Sequence, residues 1–197
     1  MNRRQLLALS LVGAASTVLP SGAWASSPQR AKALVSSMVA DINRVLASNP
    51  SDATLEREFE RLFARYADVP TIARYTLGVD ARAASPQELQ AFTQAFSGYM
   101  ARRYGKQFRD FTGGDIRVER ARSVKNFVEV RGQAMVPGSR PISVVFLVSD
   151  NSGQDRFFNL YLEGVNLLLT ARDEIQGMLD QRRGDIGQLT RDLRRLG

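Results

Sequence analysis

The segment Arg156–Ile175, RFFNLYLEGVNLLLTARDEI, constrains the fold most, because it is apolar on both faces of a predicted strand and then continues into a helix. Within residues 157–169, the residues that are not large and apolar or aromatic are Asn159, Glu163, Gly164 and Asn166. An antiparallel strand of a small domain normally alternates between a buried face and a solvated face. A strand that is apolar on both faces needs apolar contacts on each side, from protein or from a ligand.

The first 25 residues have the features of a secretory signal. Arg3 and Arg4 form a basic start, Leu6–Leu19 is an apolar run, and Ala23-Trp24-Ala25 is a small-x-small cleavage site. The paired arginines followed by two leucines also fit a twin-arginine signal. No later window approaches the roughly 20 apolar residues that a membrane-spanning helix needs. We therefore predict a signal peptide over residues 1–25 and export of residues 26–197 as a single domain.

The chain contains neither cysteine nor histidine. An exported chain without cysteine must be held together by packing, because no disulfide can form. The lack of histidine excludes Ser-His-Asp and Cys-His catalysis and the common zinc sites. We predict no metal site and no cofactor, and most familiar hydrolase mechanisms are excluded.

Arginine dominates the basic residues, since the lysines are only Lys32, Lys106 and Lys125. Without Arg3 and Arg4 the formal net charge is +5. The planar guanidinium pairs bidentately with phosphate or carboxylate, so the composition fits an anionic partner such as lipid head groups. Ordinary solvated surface is the plainer interpretation of the same charges. A nucleic-acid partner is not expected, because no basic run with interleaved aromatic residues occurs.

The first half of the mature chain is predicted to be helical, and one boundary signal marks each helix. Ser27 and Pro28 begin the first helix, Thr54 caps the second, and Val69–Leu77 forms a third that stops at Gly78. The capping box of Ser85 and Glu88 begins the longest helix, which ends at Gly113 and Gly114. Thr170 caps a helix after Leu169, and Asp185 caps the last helix.

Four strands are predicted in the second half of the chain. They cover residues 116–121, 126–136 and 142–149, together with the strand in the segment described first. Because the connections are short, the strands should form an antiparallel meander in sequence order. The predicted fold class is α+β, a curved four-stranded antiparallel sheet wrapped by about six or seven helices. Such a sheet forms a cone whose mouth can enclose an apolar cavity.

Several motifs together resemble one known family. They are Asp68-Val69-Pro70-x-Ile72-Ala73-Arg74-Tyr75-x-Leu77-Gly78, Phe92-x3-Phe96-x2-Tyr99 followed by Tyr104-Gly105-x2-Phe108, Leu162-Glu163-Gly164-Val165-Asn166-Leu167, and a tail from Met178-Leu179 to Leu189. In order and spacing they are similar to the MlaC family of periplasmic phospholipid-binding proteins, also called toluene-tolerance proteins. The chain departs from the family at Asn159, where relatives often have Asp, and at Asn166, where Ser is usual.

The resemblance implies a carrier that binds phospholipid acyl chains between sheet and helices and moves them across the periplasm. Its implied partners are an inner-membrane ABC transporter with a lipid-binding ring subunit and an outer-membrane lipoprotein complex, and its implied role is the maintenance of outer-membrane lipid asymmetry. Some family members accompany hopanoid synthesis genes, so a hopanoid or another lipid is an alternative cargo. Exposing an acyl chain of roughly sixteen carbons to water costs on the order of 13 kcal/mol. A carrier that encloses the chain avoids this cost.

The predicted pocket wall draws on the motifs above and on the two-faced strands. Its residues are Val69, Ile72, Tyr75, Leu77, Phe92, Phe96, Tyr99, Val130, Val145, Leu147, Phe158, Leu160, Leu162 and Val165. Arg74 and Arg103 are candidates for contact with a head-group phosphate. Substitution of Leu160 or Phe96 by Asp is predicted to leave a folded protein that retains less lipid.

Two other classes of function remain open from the sequence. One is a small enzyme on a similar cone-shaped fold, in which Asp68 or Glu163 acts as a base beside Tyr75 or Tyr161 as an oxyanion donor. The other is a structural envelope protein without a ligand. No carboxylate pair or nucleophile constellation stands out, so a protein that is not an enzyme is the preferred interpretation.

Overall fold

A computed structural model describes residues 26–105, 114–136 and 138–196. The elements run along the chain in the order α1 (Pro28–Ala47), α2 (Asp52–Tyr66), α3 (Val69–Leu77), a 3-10 turn (Gly78–Arg82), α4 (Pro86–Tyr104), β1 (Asp115–Val124), β2 (Phe127–Met135), β3 (Ile142–Ser149), β4 (Arg156–Leu162), β5 (Val165–Asn166), α5 (Leu167–Asp180) and α6 (Ile186–Leu193). The predicted α+β class is confirmed.

Side-chain caps explain where the helices begin. The hydroxyl of Ser27 accepts from the N–H of Arg30, and Ser85 and Glu88 form the predicted reciprocal capping box. Two predicted caps are wrong. Ser51 caps α2 in place of Thr54, and Asn166 caps α5 in place of Thr170. In both cases the true cap has extended backbone three or four residues earlier, and the predicted residue lies in the first helical turn.

The predicted end of the longest helix also moves. Helix α4 ends at Tyr104 with Gly105 as its C-cap, well before Gly113 and Gly114. Residues 106–113, over which the predicted helix continued, lie outside the described residues.

The sheet is an antiparallel meander in sequence order, β1-β2-β3-β4-β5, so five strands replace the four predicted. The additional strand, β5, folds back on the end of β4 through a turn at Glu163 and Gly164, which have φ angles of +50° and +82°. The segment between Leu162 and α5 is therefore a tight hairpin that directs the chain from the sheet into the helix.

Two register shifts bend the sheet. One lies between Val118 and Arg120 on β1, and the other lies where Phe158 is the extra residue of β4 opposite Leu147 and Val148. Beside the first shift, a Cβ on Gly132 would come within 2.4 Å of the carbonyl oxygen of Arg117. Only glycine allows β2 to approach β1 this closely, because an added Cβ would collide with backbone.

The apolar interior is divided into two clusters of buried residues. The helical cluster is formed by α3, α4, α5 and α6 with the end of α2, and it includes Leu77, Phe92 and Phe96. The sheet cluster is formed by α1 and α2 against β2 and β3. Phe157 packs against both clusters. The backbone joins the clusters at the same place, where the N–H of Asp68 donates to the carbonyl oxygen of Phe157 at 2.8 Å.

Candidate functional site

A cavity of about 250 Å³ lies between the helical cluster and the sheet cluster. This volume is slightly below the roughly 300 Å³ at the lower end of small-molecule pockets. The wall is almost wholly apolar and is built by Met38, Ile42, Asn43, Leu46, Phe59, Leu62, Phe63, Ile72, Met100, Tyr104, Gly114, Asp115, Ile116, Ala134, Val144, Phe146, Phe157, Phe158, Asn159, Leu160, Leu162, Leu167, Leu168 and Ala171. Such a wall is suited to hydrocarbon and not to a charged ligand.

The polar side chains of this wall are Asn43, Tyr104, Asp115 and Asn159. Asp115 is exposed, and Asn43 donates to its carboxylate at 3.5 Å, so this edge of the cavity meets solvent. Burial raises the pKa of the Tyr104 phenol, which keeps the group neutral. Asn159 differs from the others because it is almost fully buried. The wall therefore presents neutral groups away from its solvated edge.

The bulge at Phe158 decides which residues of β4 face the cavity. Leu162 and Leu160 lie opposite Val144 and Phe146, and beyond the bulge Phe157 lies opposite Val148. Phe157 therefore faces the same side as the two leucines, and its ring meets that of Phe146 at a centroid distance of 5.9 Å. Without the extra residue, Phe157 would face the opposite side, because side-chain direction alternates along a strand.

Of the fourteen residues predicted for the pocket wall, Ile72, Phe158, Leu160 and Leu162 line the cavity. Phe158 contributes at the bulge, although its ring packs edge-on against Phe127 at 5.9 Å. Phe157, which was not predicted for the wall, also borders the cavity. For these four residues a lipid contact stays a prediction that the cavity geometry supports.

The other ten predicted wall residues do not line the cavity. The helical cluster buries Val69, Leu77, Phe92, Phe96 and Tyr99, and the sheet cluster buries Val130. On β3, Val145 and Leu147 lie on the opposite face from Val144 and Phe146. Two further residues, Tyr75 and Val165, are exposed. An aromatic stripe at helical spacing describes a packed core as well as a cavity wall, and in α4 it forms the packed core. The expectation that Phe96→Asp would stay folded is corrected accordingly, because Phe96 is 0% exposed.

Tyr99, one of these ten residues, links two helices through a hydrogen bond. Its hydroxyl donates to the carboxylate of Glu174 at 2.5 Å, which joins α4 to α5. Burial and the bond to Glu174 both raise the pKa of the Tyr99 phenol, so it stays protonated at any ordinary pH. Tyr99 thus stabilises the helical cluster.

A large part of the wall that the prediction missed comes from the first two helices. Met38, Ile42 and Leu46 of α1 and Phe59, Leu62 and Phe63 of α2 line the cavity. These residues recur at helical spacing in the sequence, and such spacing indicates only that one face of a helix is buried. An apolar stripe toward empty space has the same sequence pattern as an apolar stripe toward packed side chains.

The two head-group candidates lie in different places relative to the cavity. Arg74 is exposed in the last turn of α3 and does not line it. The guanidinium of Arg103 lies over the ring of Tyr104, 5.6 Å from its centroid, and Tyr104 lines the cavity. Arg103 also approaches Glu174 at 3.6 Å and is half-exposed. Arg103 is therefore the better-placed cation of the two.

The acid and tyrosine pairs considered for an enzyme are not brought together at the cavity. Asp68 caps α3 by accepting from the N–H of Thr71 at 3.2 Å, and Glu163 accepts from the N–H of Ser143. Tyr75 is exposed beneath Arg172, and the Tyr161 hydroxyl accepts from Asn166 at 3.1 Å. Each group has a local structural contact instead. Within residues 26–105, 114–136 and 138–196, no cluster of three or more carboxylates is placed to hold a metal ion.

The fold and the cavity define an α+β domain in which an apolar cavity lies between a meander sheet and a helical cluster. The family model described as "MlaC protein" matches residues 32–195. This chain belongs to the MlaC family, as its motifs indicated.

The fold is shared with a solved structure described as the phospholipid-binding protein from Ralstonia solanacearum in complex with a phospholipid. The TM-score is 0.71 and the identity is 17%, and the alignment covers 83% of this chain and 94% of that one. No curated protein shows significant similarity to the sequence. None of the helices in the described part of the chain is long and apolar enough to cross a bilayer.

Proposed function

We propose that this protein binds phospholipid acyl chains in the cavity between its two clusters and carries them through the periplasm. The observation that carries the proposal is the apolar cavity itself, in a chain of the MlaC family whose fold matches that of a phospholipid-bound protein. A soluble carrier must replace the bilayer as the solvent of the acyl chain, and an apolar wall with few polar groups does so.

The orientation of the lipid follows from the charges around the cavity. Acyl chains enter between the sheet and helices α1, α2 and α5, and the head group stays at the solvated edge near Tyr104 and Asp115. Arg103 is the cation beside this edge that we propose for the phosphate. Because the wall recognises hydrocarbon, selectivity among head groups should be weak.

The donor and acceptor of the cargo are proposed from the family. An inner-membrane ABC transporter with a lipid-binding ring subunit and an outer-membrane lipoprotein complex would exchange lipid with this carrier, which would maintain outer-membrane lipid asymmetry. Export through the signal of residues 1–25 would place it between the two membranes. The direction of transfer depends on which partner binds the loaded form more tightly.

The proposal is tested by native mass spectrometry of the protein purified from cells without detergent. We expect a bound lipid in near-stoichiometric amount. Leu160→Asp should reduce lipid retention at least about tenfold, because a carboxylate in the cavity wall must be desolvated by the acyl chain.

Val145→Asp is the matched control, because it places the same charge on the opposite face of the neighbouring strand. It should retain lipid like the unsubstituted protein. A lipid-free protein that also takes up no lipid from vesicles of phosphatidylethanolamine and phosphatidylglycerol would overturn the proposal. Equal retention in the two variants would show that the lipid binds elsewhere.

A further inference from the structure

One side chain of the cavity wall has a hydrogen-bond donor that the protein does not use. Asn159 on β4 is 6% exposed and lines the cavity. Its carboxamide oxygen accepts from the backbone N–H of Leu160 at 2.7 Å and from that of Leu168 at 3.2 Å. Both partners can only donate, so the oxygen must face them and the NH₂ group is fixed on the other side. Among the residues that the structure describes, this NH₂ group has no hydrogen-bond partner.

The NH₂ group is accessible to a small molecule, because among the described residues the fully buried side-chain atom without a partner is Ser26 Oγ. Leu160, Leu168 and Ala171, which line the cavity next to Asn159 in the chain and at the start of α5, have side chains that offer no acceptor. Buried donors in proteins are almost always paired, because an unpaired donor keeps its desolvation penalty. An unpaired amide in an apolar cavity therefore indicates an acceptor that arrives with the cargo.

We infer that the NH₂ group of Asn159 donates to an oxygen atom on the buried part of the cargo, so that the cavity prefers an oxygen-bearing acyl lipid over one that is hydrocarbon at this depth. The inference rests on the proposed lipid binding. Asn159 lies three residues from Leu162, about 10 Å along the strand. By the strand register, Asp115 and Leu162 lie toward the same end of the sheet, so Asn159 lies farther from this end than Leu162 does. The oxygen therefore belongs to the inserted part of the lipid. A carbonyl of an ester or a hydroxyl on the chain can supply it.

The carboxamide also has a structural role that must be separated from this one. Its oxygen satisfies a free N–H in the first turn of α5, beside the cap that Asn166 provides for Leu169. Asn159→Asp keeps the accepting oxygen and removes the donor, since a carboxylate held ionised by two N–H groups cannot donate. Asn166→Asp makes the same change at a residue outside the cavity wall and is the matched control.

The experiment is a competition measured by native mass spectrometry on the delipidated mature protein at pH 8. The first pair of probes is dipalmitoyl phosphatidylglycerol and its dihexadecyl ether analogue, which differ only in the carbonyl oxygens. The second pair is 12-hydroxystearic acid and stearic acid. We expect the unsubstituted protein to prefer the oxygen-bearing member of at least one pair by about tenfold, the effect of one hydrogen bond. The preferred pair identifies the oxygen as carbonyl or hydroxyl.

The variants decide the role of Asn159. Asn159→Asp should lower the preference to one or below. Its ionised carboxylate should also weaken the binding of both members of each pair, as in Leu160→Asp, so the quantity compared is the ratio within a pair. Asn166→Asp should keep the preference. An unsubstituted protein with no preference in either pair, or a preference that survives in Asn159→Asp, would overturn the inference and leave lipid binding intact. Failure of every probe to bind would instead contradict the proposed function.

Discussion

The helical cluster and the sheet cluster are built from similar apolar residues, but the sheet cluster supplies more of the cavity wall. Phe92, Phe96, Leu189 and Leu193 of the helical cluster are 0% exposed, whereas Leu160 of the sheet side is half-buried against open space. Helices can adjust their crossing angles until their side chains interdigitate. A bulged and twisted sheet has a fixed curvature, so the helices that cover it do not fill its concave face. The difference between the regions is therefore one of backbone geometry.

The most direct test of this comparison is to remove one aromatic ring from the packed interior of the helical cluster and one from the cavity wall. Phe96→Ala should lower the free energy of unfolding by about 3–5 kcal/mol, because it leaves a new cavity in the helical cluster. Phe59→Ala removes the same ring from the existing cavity wall and should cost only about 1–2 kcal/mol, since no closed cavity is created. Urea denaturation of the two variants checks the order. Equal losses would show that the two regions are packed alike.

Acid should weaken the contact between α1 and α2 on the sheet side. Asp41 on α1 is buried and accepts from Tyr66 at 2.7 Å and from Arg44 and Arg65, which joins α1 to α2. The bond from Tyr66 and those from the arginines hold the pKa of Asp41 below its ordinary value of 3.8. The ionised carboxylate therefore stabilises the fold above about pH 4, and this contribution is lost as the pH falls through the lowered pKa.

Asp41→Asn should cost about 2 kcal/mol at pH 7 and less at pH 3, where the unsubstituted protein has begun to lose the same interaction. Denaturation measured at both pH values checks this expectation. Asp173→Asn, an exposed residue on α5, serves as the control and should change little at either pH. A loss for Asp41→Asn that is the same at pH 3 and pH 7 would contradict the assignment.

The smallest expected effects come from the helix caps. Ser85→Ala and Ser51→Ala should each cost about 1 kcal/mol, because each leaves an N–H of the first turn without its acceptor. They should differ in lipid retention. Ser51 caps α2, whose wall residues begin two turns later at Phe59, whereas Ser85 caps α4, whose wall residues Met100 and Tyr104 lie at the other end of the helix. Retention measured by native mass spectrometry should fall only in Ser51→Ala. A fall in Ser85→Ala alone would reverse the comparison.

Local signals in the sequence were sufficient for much of the fold. Proline at the first helical position, the capping box and the glycine at Gly78 predict helix boundaries because each acts through neighbouring backbone groups. Short connections predict the meander order for the same reason. The misplaced start of α2 shows the limit, because both Ser51 and Thr54 can cap a helix and only the backbone conformation selects between them.

The cavity wall was predicted less well, because it depends on long-range geometry. The bulge at Phe158 reverses the side of the sheet that Phe157 faces. A bulge shows in a sequence as a break in the alternation of polar and apolar residues, and a strand that is apolar on both faces has no such alternation. Phe92, Phe96 and Tyr99 of α4 were predicted for the wall and lie in the packed helical cluster, whereas the residues of α1 and α2 that line the cavity were not predicted for the wall. Sequence periodicity shows that a face is buried, but the shape of the opposing surface decides whether the face is packed or hollow.

The position of Phe157 in contact with both clusters has a consequence for the energetics of loading. A lipid in the cavity would touch both clusters at once and so act as a removable part of the hydrophobic core. By mass action, binding to the folded state alone adds about 2.7 kcal/mol of apparent stability when free lipid is at a hundred times its dissociation constant. The melting temperature of this protein would then rise with the fraction of molecules that hold a lipid. Each release of lipid would return the protein to its least stable form.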